Sequence, residues 1–322
     1  MASARAPVGG TVGLMVAALV IGESLIDRVY RDGELLGEAV GGSPLNVAIG
    51  LGRLGHGVDF LTRLGDDAAG RRIIDHLRSS GVRLVAGSVG SARTASARAD
   101  LGTGGAVDYR FDLSWELTGT PEAAPPQVVH TGSIAAVRDP GCLAVAALVD
   151  TYRLSATVSL DPNVRPEFIT DAGLARERLI RLVERADLVT ASTEDLRWIA
   201  PDREPDDVAA SWLARGPAAV VLTDGARGAV GLCAAGRATV SAPPVPVLDT
   251  VGAGDAFTVG FLDALAAAGL LGGDRRAALR RVDLAVLAAA LRGGARCAAV
   301  TVGRRGADLP DRRALAGAPE PE

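Results

Sequence analysis

The stretch Asp249–Phe257, with the sequence DTVGAGDAF, is the strongest structural signal in the chain. Its small residues Gly252, Ala253 and Gly254 stand between a proline-rich approach and a helical run. Small residues let the backbone take unusual dihedral angles and approach a ligand closely. The N–H groups at such a helix start favour anions, because the helix dipole is positive there. The stretch therefore predicts an anion-binding helix start.

Asp255 within this stretch has two interpretations. Aspartate is common as a helix N-cap, where its side chain accepts a backbone hydrogen bond. Beside an anion site it is also suited to act as a general base that deprotonates a hydroxyl attacking a phosphoryl group. The residues alone leave both interpretations open.

The rest of the chain alternates short apolar runs with longer helical segments. Such a pattern predicts a mostly parallel β-sheet covered by helices on both faces, a three-layer α/β/α fold. The predicted strands are Val12–Ile21, Val58–Thr62, Val128–Thr131, Ala156–Leu160, Leu188–Thr190, Ala219–Thr223 and Ala298–Val302. The predicted helices are Asn46–Leu54, Ala69–Ser79, Gly141–Thr151, Ala172–Arg185, Thr193–Ile199, Val208–Ala214, Asp255–Ala268 and Leu284–Arg292.

Two segments, Asp27–Val40 and Thr94–Asp112, interrupt this rhythm with alternating polar and apolar residues and turn signals. They predict a small β-sheet that projects from the main sheet as a lid. We expect residues 1–313 to form one domain with this lid inserted. We expect residues 314–322, which end in APEPE, to be a disordered tail.

Composition excludes several classes of protein. The 322 residues carry a formal net charge of −4, so there is no basic footprint for nucleic acid or a membrane surface. Lysine is absent, which excludes a P-loop lysine and any Schiff-base chemistry. The apolar run Thr11–Gly22 ends at Glu23, short of the ~20 residues that span a bilayer, and no signal-peptide cleavage site follows. The three cysteines lie far apart, with no metal-binding or disulfide spacing, so we expect a cytoplasmic protein.

A second glycine-rich segment, GGSPLN at residues 41–46, leads into a predicted helix. It ends in Asn46, one of only two asparagines in the chain, the other being Asn163. We therefore regard both asparagines as candidate site residues. Gly50–Gly55 matches the pattern GxGxxG, but it lies late in a helix instead of at a strand-to-helix turn. That position argues against a dinucleotide-binding fingerprint and a dehydrogenase.

Both glycine-rich segments resemble the two signature motifs of the ribokinase/PfkB carbohydrate kinase family, and they occur in the family's order. The similarity covers nearly the whole chain. Further segments resemble the first-strand motif, the Asp-x-Asn-x-Arg motif of the fructokinase branch, the nucleotide loop and the C-terminal signature. In that order they are Gly22–Asp27, Asp161–Pro166, Thr223–Gly228 and Arg305–Ala307.

The resemblance implies transfer of the γ-phosphate of ATP to a sugar hydroxymethyl group. Asp255 would be the base, and Gly252, Ala253 and Gly254 would form the anion hole for the transferring phosphate. The residues implied in sugar binding are Asp27, Gly41, Gly42, Asn46, Asn163 and Arg165. The residues implied in nucleotide binding are Thr223, Gly225, Gly228 and Gly254.

Metal binding is less well defined by the resemblance, which implies ATP with Mg²⁺. The family's Asn-x-x-Glu motif for Mg²⁺ aligns with residues 192–195, where Ser192 replaces the asparagine and either Glu194 or Asp195 would serve the metal through water. Thr190 stands where fructokinase-like members often carry a lysine. Some members bind a monovalent cation such as K⁺ near the position of Asp249.

The substrate and the assembly are expectations of the same kind. The glutamate after Gly22, the Asp161–Arg165 motif and the sequence HTGS at residues 130–133 favour fructose. The alternatives are 2-keto-3-deoxygluconate, ribose or another sugar, and a catalytically silent sugar- or nucleotide-binding protein on the same fold. The family often forms homodimers through the lid, whose strand edges need covering.

Overall fold

The fold is described from a computed structural model for residues 15–90, 93–101, 107–117 and 125–321. The strands are β1 (Ala17–Ile21), β2 (Leu25–Arg31), β3 (Glu34–Gly41), β4 (Gly57–Leu61), β5 (Leu64–Gly65), β6 (Val82–Leu84), β7 (Val89–Gly90), β8 (Ser96–Leu101), β9 (Val107–Asp112), β10 (Val128–Gly132), β11 (Thr157–Asp161), β12 (Leu188–Ser192), β13 (Ala219–Thr223), β14 (Ala229–Cys233) and β15 (Gly236–Val240). The α-helices are α1 (Ser43–Arg53), α2 (Ala68–Ser79), α3 (Ser133–Val137), α4 (Gly141–Tyr152), α5 (Ala172–Val183), α6 (Thr193–Ile199), α7 (Pro205–Leu213), α8 (Ala253–Ala267), α9 (Arg276–Leu279), α10 (Leu284–Val302) and α11 (Arg312–Ala316).

The main sheet in the described part of the chain has nine strands in the order β15-β14-β13-β12-β11-β10-β1-β4-β6. All pairs from β13 to β6 are parallel, and the pairs β13–β14 and β14–β15 are antiparallel. A parallel strand covered on both faces is expected to be apolar throughout, as the buried run of β1 illustrates. The predicted α/β fold with a mostly parallel sheet is confirmed.

Two hydrophobic cores lie on opposite faces of this sheet. Ala18 and Val20 point into the core built with α1, α2, α8 and α10. Leu19 and Ile21 point into the core built with α4, α5, α6 and α7. Successive side chains of a strand point to opposite faces, so a continuous apolar run is what a sheet between two helical layers requires.

A separate four-stranded sheet has the order β3-β2-β8-β9 and is built from the two segments predicted as the lid, of which residues 102–106 lie outside the described residues. The Arg98 guanidinium of β8 lies 3.8 Å from the centroid of the Tyr30 ring of β2, a cation–π contact between the two strands. At the edge of the lid sheet, Leu35 and Leu36 of β3 are about half exposed. The prediction of a small separate sheet is confirmed.

One predicted strand is wrong. Residues 298–302 form the last turns of α10, not a strand. Strand propensity of the β-branched residues Val300, Thr301 and Val302 suggested otherwise, but tertiary packing overrides propensity. Buried Thr301 donates its hydroxyl to the Cys297 carbonyl at 2.9 Å, one turn earlier in the helix.

Other differences concern the ends of the chain and the β14–β15 hairpin. The hairpin was not predicted. Of the first predicted strand, residues 12–14 lie outside the described residues. Residues 314–316, expected to begin a disordered tail, instead lie in α11, and Glu320 pairs with Arg296 at 3.0 Å. The start of the tail is thus ordered by the body of the protein.

The described residues include one helix, α10, that is long and apolar enough to cross a membrane by length and composition alone. A helix buried in a hydrophobic core can have the same length and apolar composition. α10 packs against α8 and the β14–β15 hairpin, and Leu287, Leu291 and Ala295 are buried there. We assign α10 to the core.

Candidate active site

The site residues lie at the carboxyl ends of neighbouring strands. Glu23 follows β1, Ser133 follows β10, Asn163 follows β11, Glu194 follows β12 and Gly225 follows β13. In open α/β sheets, ligands bind outside the carboxyl ends of strands, where the strand order reverses. The strand order reverses here between β1 and β10, so this edge of the sheet is the candidate active site.

Asp255 lies in the first turn of α8 and is 8% exposed. The Ser43 hydroxyl donates to its Oδ1 at 2.6 Å, and the Asn46 amide donates to its Oδ2 at 2.7 Å. The N-cap of α8 is Gly252, with φ of 77°, so Asp255 is not the cap of its helix. The geometry therefore supports its interpretation as a base held between the starts of α1 and α8.

Opposing effects set the proton affinity of Asp255. Burial raises the pKa of its carboxyl, whereas the hydrogen bonds from Ser43 and Asn46 and the charge of Arg165 lower it. Donors to the ionised form and a nearby positive charge favour the carboxylate. The site thus keeps a desolvated carboxyl available as a proton acceptor.

The residues of the predicted anion hole, Gly252, Ala253 and Gly254, lie at the start of α8. The Ala253 N–H donates to the Thr250 carbonyl at 3.2 Å. The first N–H groups of a helix have no intrahelical acceptor, which leaves those of Gly254 and Asp255 to face an anion. Gly252 provides the left-handed residue that starts the helix.

Asp249 fastens the glycine-rich loop to the C-terminal segment. Its Oδ1 accepts the Val251 N–H at 3.0 Å, and its Oδ2 accepts the Gly306 N–H at 2.8 Å. These backbone donors, with that of Gly306 the strongest, lower the pKa of the Asp249 carboxyl. The residue implied in monovalent-cation binding is therefore an ionised carboxylate that also has a structural role.

The residues implied in sugar binding fall into two groups. Asp27 and Gly41 face each other at the base of the lid, where a Cβ on Gly41 would collide with the Asp27 carboxylate. Asp27 is exposed to solvent, and partial desolvation at the base of the lid raises the pKa of its carboxyl. Gly42 begins α1, and a Cβ there would lie 2.6 Å from the Glu23 carbonyl oxygen.

Asn46 belongs to the second group, which surrounds the base instead of the lid. No hydrogen bond among the described residues joins Asp27 to Asn46 or Asp255. Asn163, with φ of 35°, donates its N–H to Oδ1 of Asp161 at 3.0 Å, and Arg165 follows two residues later with an exposed side chain.

Of the residues implied in nucleotide binding, Gly254 lies in the first turn of α8, and the other three lie at the end of β13 and in the turn that follows it. Thr223 ends β13, and Gly225 and Gly228, both with positive φ, begin and follow a short 3₁₀ turn. The Thr193 hydroxyl donates to Asp224 Oδ1 at 3.1 Å and so joins this turn to α6. The predicted nucleotide loop therefore stands beside the candidate metal-binding carboxylates.

The two candidate metal-binding carboxylates differ in their surroundings. Asp195 is 7% exposed; its Oδ2 accepts the Ser192 N–H at 2.8 Å, and its Oδ1 accepts the Val164 N–H at 2.7 Å. Ser192 and Asp195 form a capping box, a pattern that the spacing Ser-x-x-Asp could have revealed. Glu194 is exposed. No group of three or more metal-binding side chains is found in the described part of the chain.

Sequence reasoning missed a buried cluster of Asp161, Thr190 and Thr258. The two hydroxyls lie 3.1 and 3.2 Å from Asp161 Oδ2 and 2.9 Å from each other. Burial, with repulsion from Asp195 and Asp255, raises the Asp161 pKa to about 8 despite the two hydroxyls. One signal in the sequence could have revealed this cluster. Asp161 directly follows a predicted buried strand, and the chain has no lysine to pair with it.

Comparison with known proteins shows the family to which the chain belongs. Residues 15–313 match the model of the pfkB family of carbohydrate kinases. A fructokinase from Rhizobium leguminosarum bv. trifolii is 36% identical over 258 residues, 77% of this chain and 79% of the relative. A fructokinase from Escherichia coli is 33% identical over 309 residues, 92% of this chain and 97% of the relative.

A solved structure is similar over nearly its full length. It is a double mutant of fructokinase from Vibrio cholerae O395 with fructose, ADP and potassium ion bound. Its TM-score is 0.77 at 26% identity, covering 94% of this chain and 98% of that chain. This chain belongs to the pfkB family of carbohydrate kinases and is similar to the family's fructokinases.

Proposed function

We propose that this carbohydrate kinase phosphorylates fructose on a hydroxymethyl group, with ATP as the donor. The observation that carries the proposal is the buried carboxylate of Asp255 at the start of α8, oriented by Ser43 and Asn46. The names of the similar enzymes support fructose as the acceptor. The retained base and glycines count against the catalytically silent alternative.

The chemistry needs one proton acceptor and a stabiliser of the transferring group. Asp255 takes the proton of the attacking hydroxyl, and Arg165 favours its ionised form. The N–H groups of Gly254 and Asp255 face the phosphoryl group, where fixed donors stabilise the developing charge. Closure of the small sheet over the sugar would exclude water, which otherwise competes as the acceptor.

Mg²⁺ fits the residues present. Magnesium usually keeps several waters and is held by one or two carboxylates together with substrate phosphates, so exposed Glu194 suffices on the protein side. We assign this role to Glu194, since backbone N–H groups occupy both oxygens of Asp195. When bound, Mg²⁺ neutralises charge on the β- and γ-phosphates. K⁺ as a further cation near Asp249 rests on the resemblance alone, because both oxygens of the Asp249 carboxylate already accept backbone N–H groups.

Assembly and location are part of the same proposal. The lid sheet presents the half-exposed Leu35 and Leu36, and an exposed sheet edge favours pairing with a second copy. The three cysteines, Cys142, Cys233 and Cys297, are buried and unpaired, which suits the reducing cytoplasm. We therefore propose a cytoplasmic homodimer joined through the lid, to be tested by the mass of the protein in solution.

A coupled assay of ADP release with Mg-ATP tests the proposed function. Fructose, ribose, 2-keto-3-deoxygluconate, tagatose and adenosine are compared, each with and without K⁺. Turnover on fructose above all others is the expected result. Preference for another sugar would overturn the substrate but keep the kinase, and silence on every acceptor with ATP still bound would favour a binding protein.

A further inference from the structure

The short helix α3 joins three parts of the molecule. The Ala135 N–H donates to Oε2 of Glu23 at 3.0 Å. The Ser133 N–H donates to the Pro162 carbonyl at 3.2 Å, and the indole N–H of Trp115 donates to the Ala135 carbonyl at 3.3 Å. α3 therefore contacts Glu23 just after β1, the loop that carries Asn163 and Arg165, and the segment that follows the lid strand β9.

α3 lacks a capping side chain of its own. Its N-cap is Gly132, and a Cβ at that position would collide with the Asp161 carbonyl oxygen. A glycine cannot supply the side-chain acceptor that usually caps a helix. Glu23, 4% exposed, supplies the acceptor from a neighbouring strand end and also hydrogen bonds the Ser133 side chain.

Ser133 shows why this contact matters. Its φ is 54°, a left-handed conformation that is strained for a non-glycine residue and persists only when the surroundings hold it. The Glu23 carboxyl contacts the Ser133 side chain, and Pro162 accepts the Ser133 N–H. Loss of the carboxyl would release the start of α3 and its contact with the 162–165 loop.

We propose that Glu23 is a positioning residue: it holds the start of α3, which in turn sets the place of Asn163 and Arg165 relative to Asp255. The lid contacts the turn that follows this loop, because the ring of Phe111 in β9 packs edge-on against the ring of Phe168, with ring centroids 4.1 Å apart. The consequence for the reaction rests on the proposed function, whereas the anchoring of α3 does not.

Steady-state kinetics test the positioning. In Glu23→Ala we expect KM for fructose to rise roughly tenfold and kcat to fall, with KM for ATP within twofold of wild type. Glu23→Gln keeps a carbonyl acceptor for the Ala135 N–H, so its KM for fructose and its kcat should stay close to those of wild type. Glu177→Ala, at an exposed glutamate of α5, is the control and should match wild type. Unchanged sugar kinetics in folded Glu23→Ala, or an equal rise of both KM values, would overturn the proposal.

If Glu23→Ala does not fold, Ser133→Ala carries the kinetic test, because it removes only the side chain that contacts Glu23. A severalfold rise of KM for fructose alone is expected, and no rise would overturn the proposal.

Fluorescence tests the anchoring without turnover. With Trp198→Phe and Trp212→Phe, Trp115 is the only tryptophan left of three. We expect Glu23→Ala to shift its emission to longer wavelength while far-ultraviolet circular dichroism stays constant. Unchanged emission would overturn the anchoring. If the wild type turned over no sugar, the proposed function would fail, and this measurement would still decide whether Glu23 holds α3.

Discussion

The side-chain amide of Asn46 donates to Oδ2 of Asp255 at 2.7 Å across 209 positions of sequence. Ser43, one turn earlier on α1, donates to the other oxygen at 2.6 Å. The starts of α1 and α8 thus meet at one carboxylate. The two glycine-rich motifs of the sequence are halves of one catalytic arrangement.

The variant Asn46→Ala tests this relationship through the pH dependence of kcat. The hydrogen bond from Asn46 lowers the pKa of Asp255, so its removal raises that pKa. Because the base must be ionised, the acid limb of the profile should move to higher pH. We expect activity at about pH 6 to fall roughly tenfold more than at about pH 8, since a hydrogen bond to a charged group is worth about 1.5–3 kcal/mol.

Ser43→Ala is the matched variant, because it removes the donor to the other oxygen and should shift the limb in the same direction. A loss of equal size at every pH in Asn46→Ala would mean that Asn46 acts on the sugar alone.

Two glycines at the start of α8 are expected to have different roles, Gly252 in the stability of the fold and Gly254 in ligand binding. Gly252 has φ of 77°, and a Cβ there would lie 2.6 Å from the Ala307 Cβ, so Gly252→Ala should lower the free energy of unfolding by about 1 kcal/mol or more. A Cβ on Gly254 meets nothing within 4 Å. Gly254→Ala should therefore unfold like wild type but bind ATP more weakly. Chemical unfolding and calorimetric ATP titration check the pair, and equal destabilisation by both would contradict the distinction.

Glu194 and Asp195 are expected to respond differently to amidation. Glu194→Gln should raise the Mg²⁺ concentration for half-maximal activity by roughly tenfold or more, as loss of a supporting ligand does. Asp195→Asn should lower the free energy of unfolding by about 0.5–2 kcal/mol, because it disrupts the cap of α6. Magnesium titrations and urea unfolding distinguish the two, and a larger Mg²⁺ effect in Asp195→Asn would reverse the assignment.

Asp161 makes stability depend on pH. Burial raises its pKa from the ordinary 3.8 to about 8, so the folded protein keeps a proton that the unfolded chain releases. The stability from this group is complete below about pH 4 and is lost as pH rises toward about pH 8. Asp161→Asn mimics the protonated form and removes this loss. Relative to wild type, the variant should gain stability between about pH 5 and about pH 8. The free energies of unfolding of both proteins are measured with urea at each pH. If they changed with pH in parallel, Asp161 would be ionised in the folded wild type.

The sequence predicted the sheet, the lid and Asp255 because each leaves a local signature. Buried parallel strands such as β1 are apolar throughout, and the glycine-rich run before Asp255 has a short-range backbone cause. The prediction of a strand at residues 298–302 was wrong because this segment is helical and belongs to α10, which packs against α8. A local sequence pattern does not show that distant contact.

Roles that depend on distant partners were the least predictable. Asn46 stays a predicted sugar-binding residue, but its hydrogen bond to Asp255 was not anticipated. The contact between Glu23 and α3 and the cluster of Asp161 with Thr190 and Thr258 join strand ends far apart in sequence. Such contacts follow from the order of strands in the sheet, which local patterns do not specify.

Turnover of Asp255→Asn with Mg-ATP and fructose tests the central claim most directly. Calorimetry should first show that the variant still binds both ligands. We expect kcat to fall by roughly 10²–10⁴-fold or more, because the variant lacks the proton acceptor. A kcat within a fewfold of wild type would contradict the assignment of Asp255 as the catalytic base.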